Sequence, residues 1–414
     1  MSSAVEARPV AAPPPAAASQ PPASAGFLAG VLAMQIANNA LHLAQPLLIA
    51  ELSGSLAIAA GVSSADTALH MAGTLLTGSA ADRLGPRRVL ILATLGRAAA
   101  LSLVPLAAAA GRLTLSTALA AYALDALVRG GIDTACHALP QELAQDAAGL
   151  DRLNARFELA FDLGAVIGPL LLGLAFAARS TAAQWLIPLG FAGAAALFCL
   201  IPRGRPSAAR PDAGGERADP WAAFKLLRAD RTLAWSCLAL AALNLYPLRK
   251  LVSAFFAKAV LKQKAASGWI GAAFGLGGVA GSLLYERRGR RLSTGAWLGL
   301  GAAGSLALGL GVLPGGLSSM LAAAFLFSLL NVGARLSLTT AVQAGTPPEA
   351  AGRVAALWRF ASNLVSVLLK AAVGAVFAAG KAGPSAAFAV FAAGLGLVAL
   401  LQAGLGARAR ARSE

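Results

Sequence analysis

Apolar runs of about twenty residues, none with a polar face, recur along almost the whole chain and are separated by short charged or Gly/Pro-bearing breaks. Such runs predict helices at roughly 26–50, 58–81, 89–110, 114–137, 154–177, 182–201, 232–257, 268–285, 294–313, 317–340, 354–378 and 384–406. Twenty helical residues rise about 30 Å, the thickness of a bilayer's hydrocarbon core. Alternating strand segments of the kind that close a membrane barrel do not occur, so helices must satisfy the backbone in lipid. The expected fold is an all-α polytopic membrane protein with twelve transmembrane helices.

The polar gaps divide the chain. Residues 1–25, rich in Ala, Pro and Ser, read as a disordered tail without the basic start and short apolar core of a cleaved signal. The widest gap, 202–231, holds RGRPSAARPDAGGERADP and then WAAFKLLRADR, a linker ending in a short amphipathic helix. A six-helix bundle is expected on each side of it, at 26–201 and 232–406, followed by a basic tail at 407–414.

Composition agrees with this solvent. Of 414 residues, 57% are hydrophobic and 13% charged, with a mean hydropathy of +0.69. A formal charge of +16 is of the sign that nucleic acid attracts, but the arginines cluster between apolar runs, where they set membrane topology. Their distribution places both termini in the cytoplasm of a multi-pass cell-membrane protein (the cytoplasmic membrane, in a bacterium). Cys136, Cys199 and Cys237 lie in apolar segments, and His42, His70 and His137 have no metal-ligand spacing, so no metal or cofactor is expected. No G-x-S-x-G, HExxH or phosphate loop marks an enzyme or an ATP-driven pump. An ion or substrate gradient must then drive any transport, and a monomer suffices.

The chain also repeats itself. GSAADRLGPRR (78–88) pairs with GSLLYERRGRR (281–291), and DRLNARFELAFDLG (151–164) with GRVAALWRFASNLV (352–365), both at an offset of about 200 residues. Asp82, Arg83 and Gly85 match Glu286, Arg287 and Gly289, while Arg152 and Asp162 match Arg353 and Asn363. Two pseudo-symmetric six-helix halves follow.

With these halves, the linker, and the G-x-x-x-D-R-x-G-x-R-R turn after helix two, residues 26–406 resemble the major facilitator superfamily. ELSGS (51–55), LNARFELAFDLGAVIGPLLLG (153–173) and TPPEAAGRVAALWRF (346–360) are similar to its drug- and siderophore-exporting branches. Gly164, Gly168, Pro169 and Gly173 approximate the helix-packing motif of proton-driven antiporters, with Leu172 where a glycine is usual. The resemblance implies alternating access around a central cavity lined by the first and fourth helices of each half. It also implies a conformational latch built from Gly78, Asp82, Arg83, Gly85, Arg87 and Arg88. In it, Asp82 would face the N-terminus of helix eleven and Arg353 when the cytoplasmic side closes.

Ionisable groups inside a bilayer are costly and mark cavities or partners. Asn38 and His42, Asp125 and Arg129, and Asn331 and Arg335 each sit four apart, on one helix face, and helix seven adds Asn244 and Arg249. These eight form the expected substrate site. Asp125 and Arg129 have a second reading as a self-satisfied intrahelical pair. Arg129, in RGGIDT, also resembles an arginine that superfamily exporters carry on helix four. Asp66, His70, Asp125 and Asp162 are candidates for carrying protons, and Lys370 lies deep in helix eleven with no partner readable from sequence. The expected function is secondary active transport of an amphipathic small molecule, as proton-coupled efflux. Uptake or flipping of a lysophospholipid or organic anion is the alternative. A transport-dead receptor or membrane-embedded enzyme ranks below both.

Overall fold

A computed structural model describes residues 22–143, 147–178, 184–202, 246–288, 292–313, 316–344 and 351–379, together with scattered residues between 228 and 240 and between 388 and 404. Among these residues the secondary structure is entirely helical. The first half contains α1 (Pro22–Leu52), α2 (Leu56–Leu84), α3 (Pro86–Ala109), α4 (Leu115–Leu143), α5 (Ala147–Ala177) and α6 (Leu186–Cys199). The second contains α7 (Tyr246–Ala259), α8 (Ala265–Arg288), α9 (Thr294–Val312), α10 (Leu317–Ala344) and α11 (Ala351–Ala379). The described residues at 388–389, 392–396, 399–400 and 403–404 are helical, where the twelfth helix is expected.

Local chemistry explains most boundaries. Ser55, Thr114 and Ser293 cap α2, α4 and α9, their hydroxyl oxygens accepting from the backbone N–H of Ile58, Thr117 and Ala296. Gly85 breaks α2 from α3 with φ 80°, a left-handed backbone that glycine adopts without steric cost, and Pro86 opens α3 in the first turn, where no donor is needed. Several helices outrun their expected spans. Helix α1 takes residues 22–25 from the expected tail, because a leading proline, Pro22, suits a helical first turn. Helices α4 and α5 extend several residues further toward the same face. Residues 1–21, the linker at 203–227 and the tail from 405 lie outside the described residues.

Seven of the described helices are long and apolar enough to cross a membrane. Their outer surface is apolar: Leu92, Leu106, Leu174, Leu189 and Leu310 are all more than half exposed, the pattern expected of lipid-facing positions. Small residues hold the helices close.

Packing reveals the internal symmetry. Helix α2 packs on α4 and α3 on α4; in the second half α8 packs on α10 and α9 on α10. Between halves, α5 packs on α8 and α11 on α2, which exchange under the same two-fold, while α1 meets its own counterpart α7. Two pseudo-symmetric bundles therefore meet along α1, α2 and α5 of one and α7, α8 and α11 of the other.

The face where α1 begins and α2 turns into α3 is the terminal face; the other is the distal face. The halves are closed together at the distal face. There Gly173 and Gly268 bring α5 and α8 so near that a Cβ on Gly173 would lie 3.1 Å from the Gly268 Cα. Gly374 of α11 packs against Ala57 and Ala60 of α2, the Ser64 hydroxyl donates to the Val367 carbonyl at 3.1 Å, and Lys264 pairs with Glu51.

Candidate functional site

Near the middle of the interface, three helices turn polar stripes toward one another. On α1 the stripe is Gln35, Asn38, Asn39, His42 and Gln45; on α2 it is Ser63, Asp66, Thr67 and His70; on α11 it is Asn363, Ser366 and Lys370. Steps of three and four residues keep each set on one helix face. With Arg129 of α4, Phe161 of α5 and Lys250 of α7, they enclose a cavity of about 250 Å³ between the halves.

The first-half wall is tied together by a ladder of alternating charge. Arg97 of α3 is buried at 1% exposure. It donates from Nε to Asp125 Oδ1 at 2.7 Å and from Nη2 to Asp125 Oδ2 at 3.3 Å. The same Nη2 donates to Asn38 Oδ1 at 3.0 Å, and the guanidinium carbon lies 4.0 Å over the Phe191 ring. The next rung is looser, with Arg129 Nη1 3.8 Å from Asp125 Oδ2. The last is tight: Arg129 Nη2 donates to Asp66 Oδ2 at 2.8 Å. The four charges sum to zero, and the Asp66–Arg129 end faces the cavity.

This geometry revises the expected pairings. Asp125 finds its main partner in Arg97, a residue outside the expected site, and not in Arg129. The reason is rotational: α4 presents Asp125 toward α3, so the i,i+4 neighbour is left at 3.8 Å. Asp66 likewise pairs with Arg129 across helices and shares the cavity wall with His70. A lone arginine inside the apolar run of α3 was the available signal for Arg97.

The second-half wall is cationic. Lys370 Nζ donates to Thr67 Oγ1 at 2.7 Å and to the Ser63 carbonyl at 3.2 Å, bridging α11 to α2 through neutral acceptors. Lys250 lines the cavity, and among the described residues no carboxylate lies within ion-pair distance of it; the charges that reach it are those of Arg249, Lys370 and Arg129. Beside it, Arg249 is buried, contacts Ser328 of α10 at 3.5 Å and lies 5.9 Å from the Phe274 ring centroid.

Of the expected substrate residues, Asn38, His42 and Arg129 line the cavity, Asp125 stands directly behind it and Arg249 beside it. Asn331 turns away, donating to the Gly301 and Phe327 carbonyls at 3.1 Å each, which ties α10 to α9. Arg335 is exposed, and its charge, with that of Arg249, reaches half-buried Asp162 across the halves. Asn244 lies outside the described residues. In the expected latch, the side chains of Asp82, Arg83 and Arg353 and the surroundings of Gly78 are not among those described. Arg87 donates to the Ile201 and Cys199 carbonyls at 2.7 and 2.9 Å, closing the end of α6, and Arg88 is exposed. Gly164 and Gly168 seat α5 against Gln35, Ile36 and Asn39 of α1, while Pro169 and Gly173 seat it against α8.

Two pseudo-symmetric helical bundles around a charged cavity are the architecture of a membrane transporter. The profile of the Major Facilitator Superfamily matches residues 26–369, and the chain belongs to that family. No curated protein matches the sequence significantly. Among solved structures, the nucleoside transporter NupG superposes with a TM-score of 0.71 at 13% identity, covering 92% of this chain and 98% of its own. The POT family transporter PepTSo gives 0.70 at 14% identity, with coverages of 96% and 100%. A bacterial homologue of the human lysosomal transporter Spinster, inward-facing and unoccupied, gives 0.66 at 15% identity, with coverages of 94% and 96%. At such identities the likeness establishes the fold.

Proposed function

We propose that the protein is a secondary active transporter that carries a small organic anion together with a proton, by rocking of its two halves about the central cavity. The observation that carries this reading is the charge balance of the cavity wall. Among the described residues, Lys250, Lys370 and Arg129 face it against one carboxylate, Asp66, which is already engaged by Arg129. Burying unbalanced cations is costly, and an anionic substrate relieves that cost.

Proton coupling follows from the last rung of the ladder. A proton on Asp66 removes the charge that holds Arg129 Nη2 and makes that edge of the guanidinium available to a carboxylate or phosphate oxygen. Proton and anion therefore raise each other's affinity, the linkage that favours cotransport over exchange. With acid outside, the flux is uptake, and His70 on the same wall is positioned to pass the proton. Both termini and the Asp82 turn would then face the cytoplasm, where Asp82 at the start of α11 latches the closed terminal face.

Proton-coupled efflux of an amphipathic molecule is the second reading. It is favoured by Gly164, Gly168, Pro169 and Gly173, which wedge α5 between α1 and α8 in the manner the antiporter-like motif implies. Counterflow in liposomes separates the two. Labelled monocarboxylates, dicarboxylates and phosphate monoesters are compared with amines of matched size, under acid-inside and acid-outside gradients. The cotransport reading expects anion entry that accelerates when protons flow in the same direction. Exchange restricted to amines or uncharged amphiphiles, or anion flux driven by an opposing proton flow, overturns it.

A further inference from the structure

We propose that the first half carries a second binding site, opening at the distal face, for a single-chain amphiphile with an anionic head. The site is a cavity of about 820 Å³, within the range of about 300–1,000 Å³ usual for small-molecule pockets. Its shaft lies inside the first bundle, and the second half completes its rim. Its floor and walls are apolar: Leu41, Leu47 and Leu48 of α1, Leu101 of α3, Tyr122 of α4 and Phe176 of α5. Its polar groups gather at the mouth: Glu51 at the end of α1, Gln184 before α6, and Lys262, Gln263 and Lys264 in the turn from α7 to α8. From Glu51 down to Leu41 the wall descends about 15 Å along the helix, the depth of a medium-length acyl chain. A long greasy shaft under a polar rim matches the division of an amphiphile into tail and head.

The rim's charge selects the head. Glu51 is taken by Lys264. Lys262 is exposed and has no carboxylate partner among the described residues, so the free charge at the mouth is positive. Lys262 is also the only non-glycine residue among those described with a positive φ, 56°. It belongs to the turn that ends α7, closed by the Gln263 N–H donating to the Ala257 carbonyl at 2.9 Å. That turn sets an ammonium at the rim of an apolar shaft. A carboxylate or a phosphate monoester satisfies it equally.

The rim also says when the site exists. Lys262, Lys264 and Ala265 belong to the second half, whereas the shaft belongs to the first. The complete site forms while the distal face is closed, so an occupant stabilises that state and slows the cycle.

Equilibrium binding to the full-length protein in phosphatidylcholine nanodiscs tests this, with empty discs subtracted and dodecanoate, dodecyl phosphate and dodecanol as probes. The two anions should saturate at one per protein and raise its melting temperature, with dodecanol binding more weakly; whichever anion binds more tightly identifies the head. Lys262→Gly, which relaxes the turn, should weaken the anions about two- to five-fold, the span of an exposed ion pair, and leave dodecanol unchanged. Leu48→Trp fills the shaft and should abolish binding of all three; Ala44→Leu serves the same end if the tryptophan variant does not fold. Lys250→Gln, in the central cavity, should leave these probes unaffected. Non-saturable uptake overturns the proposal, as does dodecanoate binding that survives Leu48→Trp and Ala44→Leu or is lost in Lys250→Gln. Failure of the central anion site would leave these outcomes unchanged, since the two cavities share no residue.

Discussion

In the first half, Arg97 meets Asp125 at 2.7 Å and Arg129 meets Asp66 at 2.8 Å, so buried charge is cancelled within the bundle that carries it. In the second half, Lys250 faces the same cavity with no carboxylate within reach among the described residues, and Lys370 crosses to the hydroxyl and carbonyl of Thr67 and Ser63. The contrast separates two uses of an ionised group in a membrane. A charge neutralised by its own bundle fastens helices to one another and stays put through the cycle. A charge left without an opposite partner keeps the cavity incomplete until a ligand arrives. Each half can therefore be broken in a different way.

The largest expected effect lies in the first half. Arg97→Leu leaves Asp125 in the interior with the looser Arg129 contact at 3.8 Å and removes the bond to Asn38 and the stacking on Phe191, which should cost about 3–5 kcal/mol, the usual penalty for halving a buried ion pair. Melting in detergent, followed by tryptophan fluorescence, measures it. The double variant Arg97→Leu, Asp125→Leu should recover most of the loss, because both charges leave together. A single variant as stable as the parent would show that the ladder is not a structural brace.

An intermediate effect is expected where one half grips the other. Lys370→Met removes two hydrogen bonds from an ammonium to α2, worth about 1.5–3 kcal/mol, whereas Thr67→Val removes one acceptor and should cost less. Since these bonds cross the interface, both variants should also loosen the α2–α11 contact. Cysteines placed at Ser64 and Val367, whose backbone and hydroxyl now touch, report this as a slower crosslink. Crosslinking at the parental rate in Lys370→Met would assign Lys370 to the cavity alone.

Much of this arrangement was legible in the chain itself. Apolar runs gave the helices, because a membrane leaves the backbone no other choice, and the two repeated loops implied the pseudo-two-fold that α5–α8 and α11–α2 packing displays. Stripe positions such as Asn38 with His42, and Asp66 with His70, were visible from their spacing. What spacing does not report is the rotation of a helix about its axis. Asn331 and Arg335 repeat the spacing of Asp125 and Arg129, yet Asn331 is turned to α9, while Arg335 is exposed and its charge reaches Asp162 of the other half. Arg97 stands alone in the apolar stretch of α3, and its partner comes 28 residues later on another helix. Such pairs are products of packing between helices, where local periodicity carries no information.

The smallest change in folding is expected at the residue that matters most to the proposed activity. Among the described residues Lys250 has no opposite charge to lose, and Arg249, Lys370 and Arg129 all repel it. Lys250→Gln should therefore leave the melting temperature unchanged or raise stability by up to about 1 kcal/mol, in contrast to every first-half charge variant. Its effect on anion counterflow should be near-complete loss, since the cavity then offers Lys370, already bonded to Thr67, and Arg129, already bonded to Asp66. Lys250→Glu goes further: two cations then face two carboxylates, and the preference for anions over matched neutral solutes should vanish while the fold persists. A Lys250→Gln protein that unfolds like Arg97→Leu, or that moves anions at the parental rate, would erase the distinction between bracing charge and waiting charge.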